Sequence, residues 1–134
     1  MIFLVSFITI LNFNLHSIEI SNAWVRPAGK GMNSALYFDL KNNSSSEDVL
    51  YKVSFNAAEL VQLHETLNKK GLMEMKEIKS LKINANQSIK FAPGGYHVML
   101  IKLKKDLRTG NKIGFVFYFK KAGKINVTAY VKSY

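Results

Sequence analysis

The sequence predicts an all-β protein, an antiparallel Greek-key β-sandwich. Three observations carry this. Apolar residues alternate in short runs, broken by turn residues at intervals of about eight to twelve positions. No stretch of useful length has the apolar period of an amphipathic helix. The chain of 134 residues is 48% hydrophobic and 12% aromatic, long enough to bury one core and too apolar to stay disordered.

The elements follow in order. Ile18 to Val25 reads as a strand that ends at Arg26-Pro27, and residues 28–32 form a loop. Ala35 to Lys41 is the second strand, closed by the polar cluster Asn42 to Ser46. Val49 to Phe55 and Leu60 to Thr66 are the third and fourth. Leu72 to Lys76 and Leu81 to Ile83 are short strands around a turn. Ser88 to Phe91 leads into Pro93-Gly94-Gly95, a tight turn. Tyr96 to Leu103 is apolar on both faces and therefore central. Ile113 to Phe119 and Ile125 to Val131 form a terminal hairpin. No internal repeat or linker divides residues 18–134, which read as one domain.

Residues 1–17 read as a secretory signal segment. Met1 to Leu11 is an apolar run of h-region length, shorter than the roughly 20 residues a bilayer span needs. No Lys or Arg precedes it, which departs from the usual basic start. Ser17 is a small residue at a cleavage point, so the mature chain is expected to begin near Ile18, in the periplasm.

Composition excludes several chemistries. The chain has no Cys, hence no disulfide, thiolate zinc site, iron–sulfur cluster or Cys nucleophile. It lacks a G-x-S-x-G elbow and a paired-His zinc helix, so no enzyme constellation is evident. Net charge is +10, from 19 Lys+Arg against 9 Asp+Glu, and none of these charges precedes Glu19. The excess is nearly all Lys, in a chain also heavy in Asn, Ile, Phe and Tyr. Composition drift from AT-rich codons explains it, as does a surface for an acidic partner or weak contact with an anionic membrane.

The chemically capable residues beyond the signal are few. His97 and Met99 stand at i and i+2, on one face of a strand. Met73 and Met75 repeat that spacing, and His64 lies on an earlier strand. Imidazole and thioether together make a soft, nearly neutral donor set that suits Cu(I) and serves zinc or oxygen-loving ions poorly. A lone Met is more often core filler, and a lone His on an apolar strand a satisfied core group, so spacing alone leaves both readings open.

A resemblance then narrows the choice. His64, Met75, His97 and Met99 resemble the H-x10-M-x21-H-x-M signature of the periplasmic PCuAC copper chaperones. Asn22-Ala23-Trp24-Val25-Arg26 is similar to that family's A-W-x-R opening, and Ala35-Leu36-Tyr37 with Lys41-Asn42 to its second strand. Val61-Gln62-Leu63-His64-Glu65, Gly71-Leu72-Met73-Glu74-Met75 and Pro93-Gly94-Gly95-Tyr96-His97-Val98-Met99-Leu100 resemble its later blocks. The likeness runs from about residue 20 to residue 131, with Gln62 where the family usually has an acid. It implies a cupredoxin-like sandwich that holds Cu(I) between His64, Met75, His97 and Met99, with Met73 a spare thioether. It also implies a non-enzymatic carrier that delivers copper to the CuA centre in the copper-accepting subunit of cytochrome c oxidase, sometimes with a Sco-type partner. The chain lacks the His/Met-rich tail by which some members hold a second copper, so no Cu(II) site is expected.

The alternative is a basic β-barrel that binds nucleic acid or another polyanion. Gly114-Phe115-Val116 and Tyr118 fit half of an RNA-binding motif, beside Lys112, Lys120 and Lys121. The other half fails, and no helices are available for that fold. Burial of Phe115, Phe117 and Phe119 would end this reading, because stacking platforms must be exposed. No nucleic-acid partner is therefore expected.

Overall fold

A computed structural model describes residues 18–133; the expected signal segment lies outside the described residues. Ten strands follow one another: β1 (Ile18–Val25), β2 (Ser34–Asn42), β3 (Asp48–Ser54), β4 (Ala58–Lys69), β5 (Leu72–Ile78), β6 (Leu81–Ile83), β7 (Ser88–Phe91), β8 (Tyr96–Leu103), β9 (Lys112–Phe119) and β10 (Gly123–Val131). Their order is β5-β4-β8-β7-β2-β1-β10-β9-β3-β6, with β8 also paired to the start of β2. This sheet closes over itself into a sandwich. Phe38 of β2 stacks on Phe91 of β7 at 4.1 Å and meets Phe117 of β9 edge-on at 4.8 Å, although β2 and β9 are not sheet neighbours. The aromatic pairs and the aliphatic residues around them form the core between the layers.

The expected strands are present, with two departures of consequence. The pairing is antiparallel except where β1 runs parallel to β10 and at one β7–β8 contact. Second, β4 continues to Lys69 rather than stopping at Thr66. Its extension pairs with β5 from Lys69↔Leu72 through Leu63↔Ile78. Lys70 and Gly71 join the two strands, both with positive φ (52° and 82°), as a two-residue type I′ turn requires. The Asn68 carboxamide oxygen accepts the Gly71 N–H at 3.1 Å and ties the turn. This hairpin has almost no core face, so periodicity did not reveal its length.

Two buried polar side chains fasten the loops around β3, β6 and the β9–β10 turn. Asn42 donates to the carbonyls of Ser46, Ile83 and Asn84 and accepts from Ser44. The Asp48 carboxylate accepts the backbone N–H groups of Val49, Lys121 and Ala122, and so clasps the β9–β10 turn. Burial is tolerated because their polar atoms find these partners. Phe115, Phe117 and Phe119 are all buried, so the nucleic-acid reading loses its stacking platform.

Candidate metal centre

The register of β8, β4 and β5 assembles the four expected ligands on one outward face. His64 stands directly opposite His97, and Gln62 opposite Met99. Across β4, Thr66 is opposite Met75 and His64 opposite Glu77. Met75 is thus the diagonal neighbour of His64, within reach of a long side chain. The two imidazoles occupy the middle row, with one thioether displaced to either side. A type II turn precedes them: the Gly95 N–H donates to the Ala92 carbonyl at 3.0 Å, and Gly94 takes φ 85°.

His97, Met99, Met75 and Met73 line one cleft of about 370 Å³, walled opposite by Arg26, Pro27 and Asn33. His64 does not line it; its ring centroid lies 5.3 Å from that of His97. Exposure is graded. His97 is 3% exposed, whereas Met73 and Met75 are each 62% exposed on the edge strand β5. The loop that forms the far wall is pinned. Ala28 and Leu107 exchange backbone hydrogen bonds, Asp106 accepts the Lys30 N–H at 2.8 Å, and Asn33 accepts the Lys102 N–H at 3.0 Å.

Each imidazole has one nitrogen engaged and one free. His64 Nε2 lies 2.8 Å from Gln62 Oε1, an oxygen that only accepts, so Nε2 carries the proton. His97 Nδ1 lies 3.4 Å from the Gly95 carbonyl, which selects the Nδ1–H form. His64 Nδ1 and His97 Nε2 are buried and, among the described residues, have no hydrogen-bond partner. Two buried lone pairs without partners on adjacent rings are costly unless something binds them. Burial pushes the pKa of both histidines below the usual range; Glu77 opposes this at His64, and the Gly95 carbonyl opposes it at His97. The neutral form is the one that can coordinate a metal.

The donor set is therefore two neutral imidazole nitrogens plus thioethers. Among the described residues, no group of three or more His, Asp or Glu side chains is placed to hold a metal. The arrangement suits a soft monovalent ion better than a hard one. Gln62 and Gly95 were missed as positioning groups in the sequence reading. Alternation alone puts Gln62 on the His64 face, two residues earlier, and was the available signal.

The family profile described as "Putative lipoprotein LpqE-like" matches residues 18–131. "Putative lipoprotein Lxx21020" of Leifsonia xyli subsp. xyli (strain CTCB07) is 38% identical over 118 residues, covering 87% of this chain and 70% of that protein. "Uncharacterized protein RP573" of Rickettsia prowazekii (strain Madrid E) is 31% identical over 108 residues, covering 77% of this chain and 60% of that one. Among solved structures, the copper-bound PCuAC domain from PmoF2 superposes with a TM-score of 0.74 at 24% identity, covering 88% of this chain and 94% of that domain. The Cu(I)-bound solution structure of DR1885 from Deinococcus radiodurans gives 0.66 at 26% identity, covering 84% and 78%. The match over residues 18–131, on a sandwich shared with PCuAC domains, means that the chain belongs to the LpqE-like family, the family of the PCuAC copper chaperones.

Proposed function

We propose that this protein is a periplasmic carrier that binds one Cu(I) through His64, Met75, His97 and Met99. It surrenders that ion to the copper-accepting subunit of cytochrome c oxidase, at the CuA centre, alone or with a Sco-type partner. The observation that carries the reading is the pair of buried, unpartnered nitrogens, His64 Nδ1 and His97 Nε2, on the face that bears both thioethers. Copper is the cargo here. The two rings form the inner part of the site and Met75 its solvent side, so the ion stays accessible to an acceptor. Two neutral nitrogens and two thioethers add no negative charge, a donor set that favours Cu(I) over Cu(II) and gives no support to redox turnover. Relatives named as putative lipoproteins support an exported carrier.

The first test is titration of the purified protein against a colorimetric Cu(I) chelator, in parallel with a Cu(II) titration. One tightly held Cu(I) and much weaker Cu(II) is the expected result. Equal affinity for both states overturns the soft-site reading. Transfer to a purified CuA domain then tests the destination, and tight Cu(I) binding without transfer would leave a copper carrier with a different acceptor.

A further inference from the structure

The positive charge of this protein has an address. From Leu107 to Tyr134 the chain holds six Lys or Arg and no Asp or Glu. Lys112 of β9 and Lys124 of β10 lie on the outward side of these strands, Lys132 follows β10, and adjoining strands extend the charge. Register sets two rows there. In one, Tyr118 is paired with Lys124 on one side and Lys52 on the other. Both ammonium groups lie over its ring, at 5.5 and 5.1 Å from the centroid. In the other, Lys112 is paired with Tyr130, Tyr130 with Trp24, and Trp24 with Tyr37. Lys112 lies over Tyr130 at 5.5 Å, Lys132 over Trp24 at 5.7 Å and Arg26 over Tyr37 at 5.4 Å.

Five exposed cations are thus seated on aromatic rings. Among the described residues none of the five is in an ion pair; those that form use Lys69, Lys79, Lys82 and Arg108. A ring holds an ammonium group by its quadrupole without neutralising it. The result is a preorganised positive surface whose five ring-seated cations form no ion pair among the described residues.

We propose that this face binds an anionic lipid headgroup surface. Three features favour lipid over other polyanions. Four of the five cations are Lys, compact point charges that mobile headgroups can rearrange to meet, whereas a fixed carboxylate pattern is better matched by the Arg fork. Tyr51 and Tyr130, 44% and 50% exposed, offer rings with one apolar and one polar end, suited to the headgroup level. Nucleic-acid bases need bare ring faces, and here cations lie over Tyr37, Tyr118, Tyr130 and Trp24. Arg26 belongs both to this face and to the wall of the metal cleft, so a docked protein keeps the cleft at the margin of the lipid surface.

The test is cosedimentation of the full chain, without copper, with vesicles of phosphatidylcholine alone or with about one third phosphatidylglycerol, across a salt series. The N-terminal apolar run is common to every variant, so the difference between vesicle types isolates the charged face. Wild type should prefer anionic vesicles, and the preference should fade with salt. At about fivefold per lysine, the triple variant Lys112→Gln, Lys124→Gln, Lys132→Gln should lose roughly a hundredfold in partition. The triple Lys69→Gln, Lys79→Gln, Lys82→Gln removes equal charge elsewhere and should lose far less. If the first triple does not fold, Lys112→Gln and Lys124→Gln singly should each lose about fivefold. Equal losses in the two triples, or equal partition of wild type to both vesicle types, overturns the proposal. So does retention on poly-L-glutamate or duplex DNA at a salt concentration that abolishes vesicle binding, which would assign the face to an acidic protein or to nucleic acid.

Discussion

His64 faces His97 directly across the β4–β8 pairing, their rings 5.3 Å apart, and each carries one buried, proton-free nitrogen. Gln62 and the Gly95 carbonyl fix which nitrogen that is. Protein groups thus select the tautomers before any metal arrives. Preorganisation of this kind lowers the cost of binding.

Removing either ring should therefore separate binding from folding. His97→Ala is expected to cost about 1–3 kcal/mol of apo stability, typical of truncation at a buried site that keeps its neighbours. Copper should no longer raise the melting temperature of that variant. In wild type, free Cu(I) at about a thousand times the dissociation constant should add about 4 kcal/mol by mass action. Calorimetry of apo and copper-treated forms reads both quantities. A variant that copper still stabilises to the wild-type extent removes His97 from the ligand set.

The two exposed thioethers provide an internal comparison. Met73 and Met75 are equally exposed, so Met→Leu at either position should change stability by less than about 0.5 kcal/mol. Truncation of a core Met would instead cost about 2–5 kcal/mol. Met75 is diagonal to His64, whereas Met73 lies opposite Asn68, one strand repeat further from the imidazoles. Met75→Leu should lower Cu(I) affinity well beyond Met73→Leu in a chelator competition. Equal losses would make Met73 a ligand of the same standing.

Gln62 acts through His64 alone. Gln62→Leu removes the acceptor that holds Nε2–H and should weaken Cu(I) binding by about tenfold, the usual range for a group that orients a metal-bound histidine. Gln62→Glu restores an acceptor and should recover most of the loss. A melting curve that falls together with affinity in Gln62→Leu would mean a structural role instead.

Asp48 gives the opposite pattern. Asp48→Ala removes the acceptor of three part-buried backbone N–H groups and should cost about 1–3 kcal/mol in urea denaturation. Its contacts lie on β3 and the β9–β10 turn, so Cu(I) affinity of the folded fraction should not change. A weakened site in that variant would link the Asp48 clasp to the metal centre.

The strand order could not be read from one sequence, whereas most strands could. Alternation marks a strand wherever one face is buried, as in β9 with Phe115, Phe117 and Phe119 facing the core. It fails at the end of β4, where Leu67, Asn68 and Lys69 face no core and only pairing with β5 sustains the strand. Asn42 looked like the start of a loop because its partners Ile83 and Asn84 are distant in sequence. Trp24, Tyr37 and Tyr130 carried no sign of a shared row, since that row depends on the parallel β1–β10 pairing. The i, i+2 spacing of His97 and Met99 is local and visible, but spacing alone left metal binding and core packing both open, and the set of four came from the resemblance. The tautomers were not, because they depend on acceptors whose positions only the fold determines.

The type I′ turn at Lys70–Gly71 has a mechanical consequence. His97 and Met99 lie on β8, held between β4 on one side and β2 on the other, and act as a fixed jaw. Met75 rides on β5, which has a single neighbour and is exposed along nearly its whole length. Swinging the Met75 end of this jaw outwards breaks pairing to β4 alone, while Ile78 at its other end stays packed on the core. On the proposed ligand set, an ion would be gripped unequally and released first at the thioether nearest the solvent.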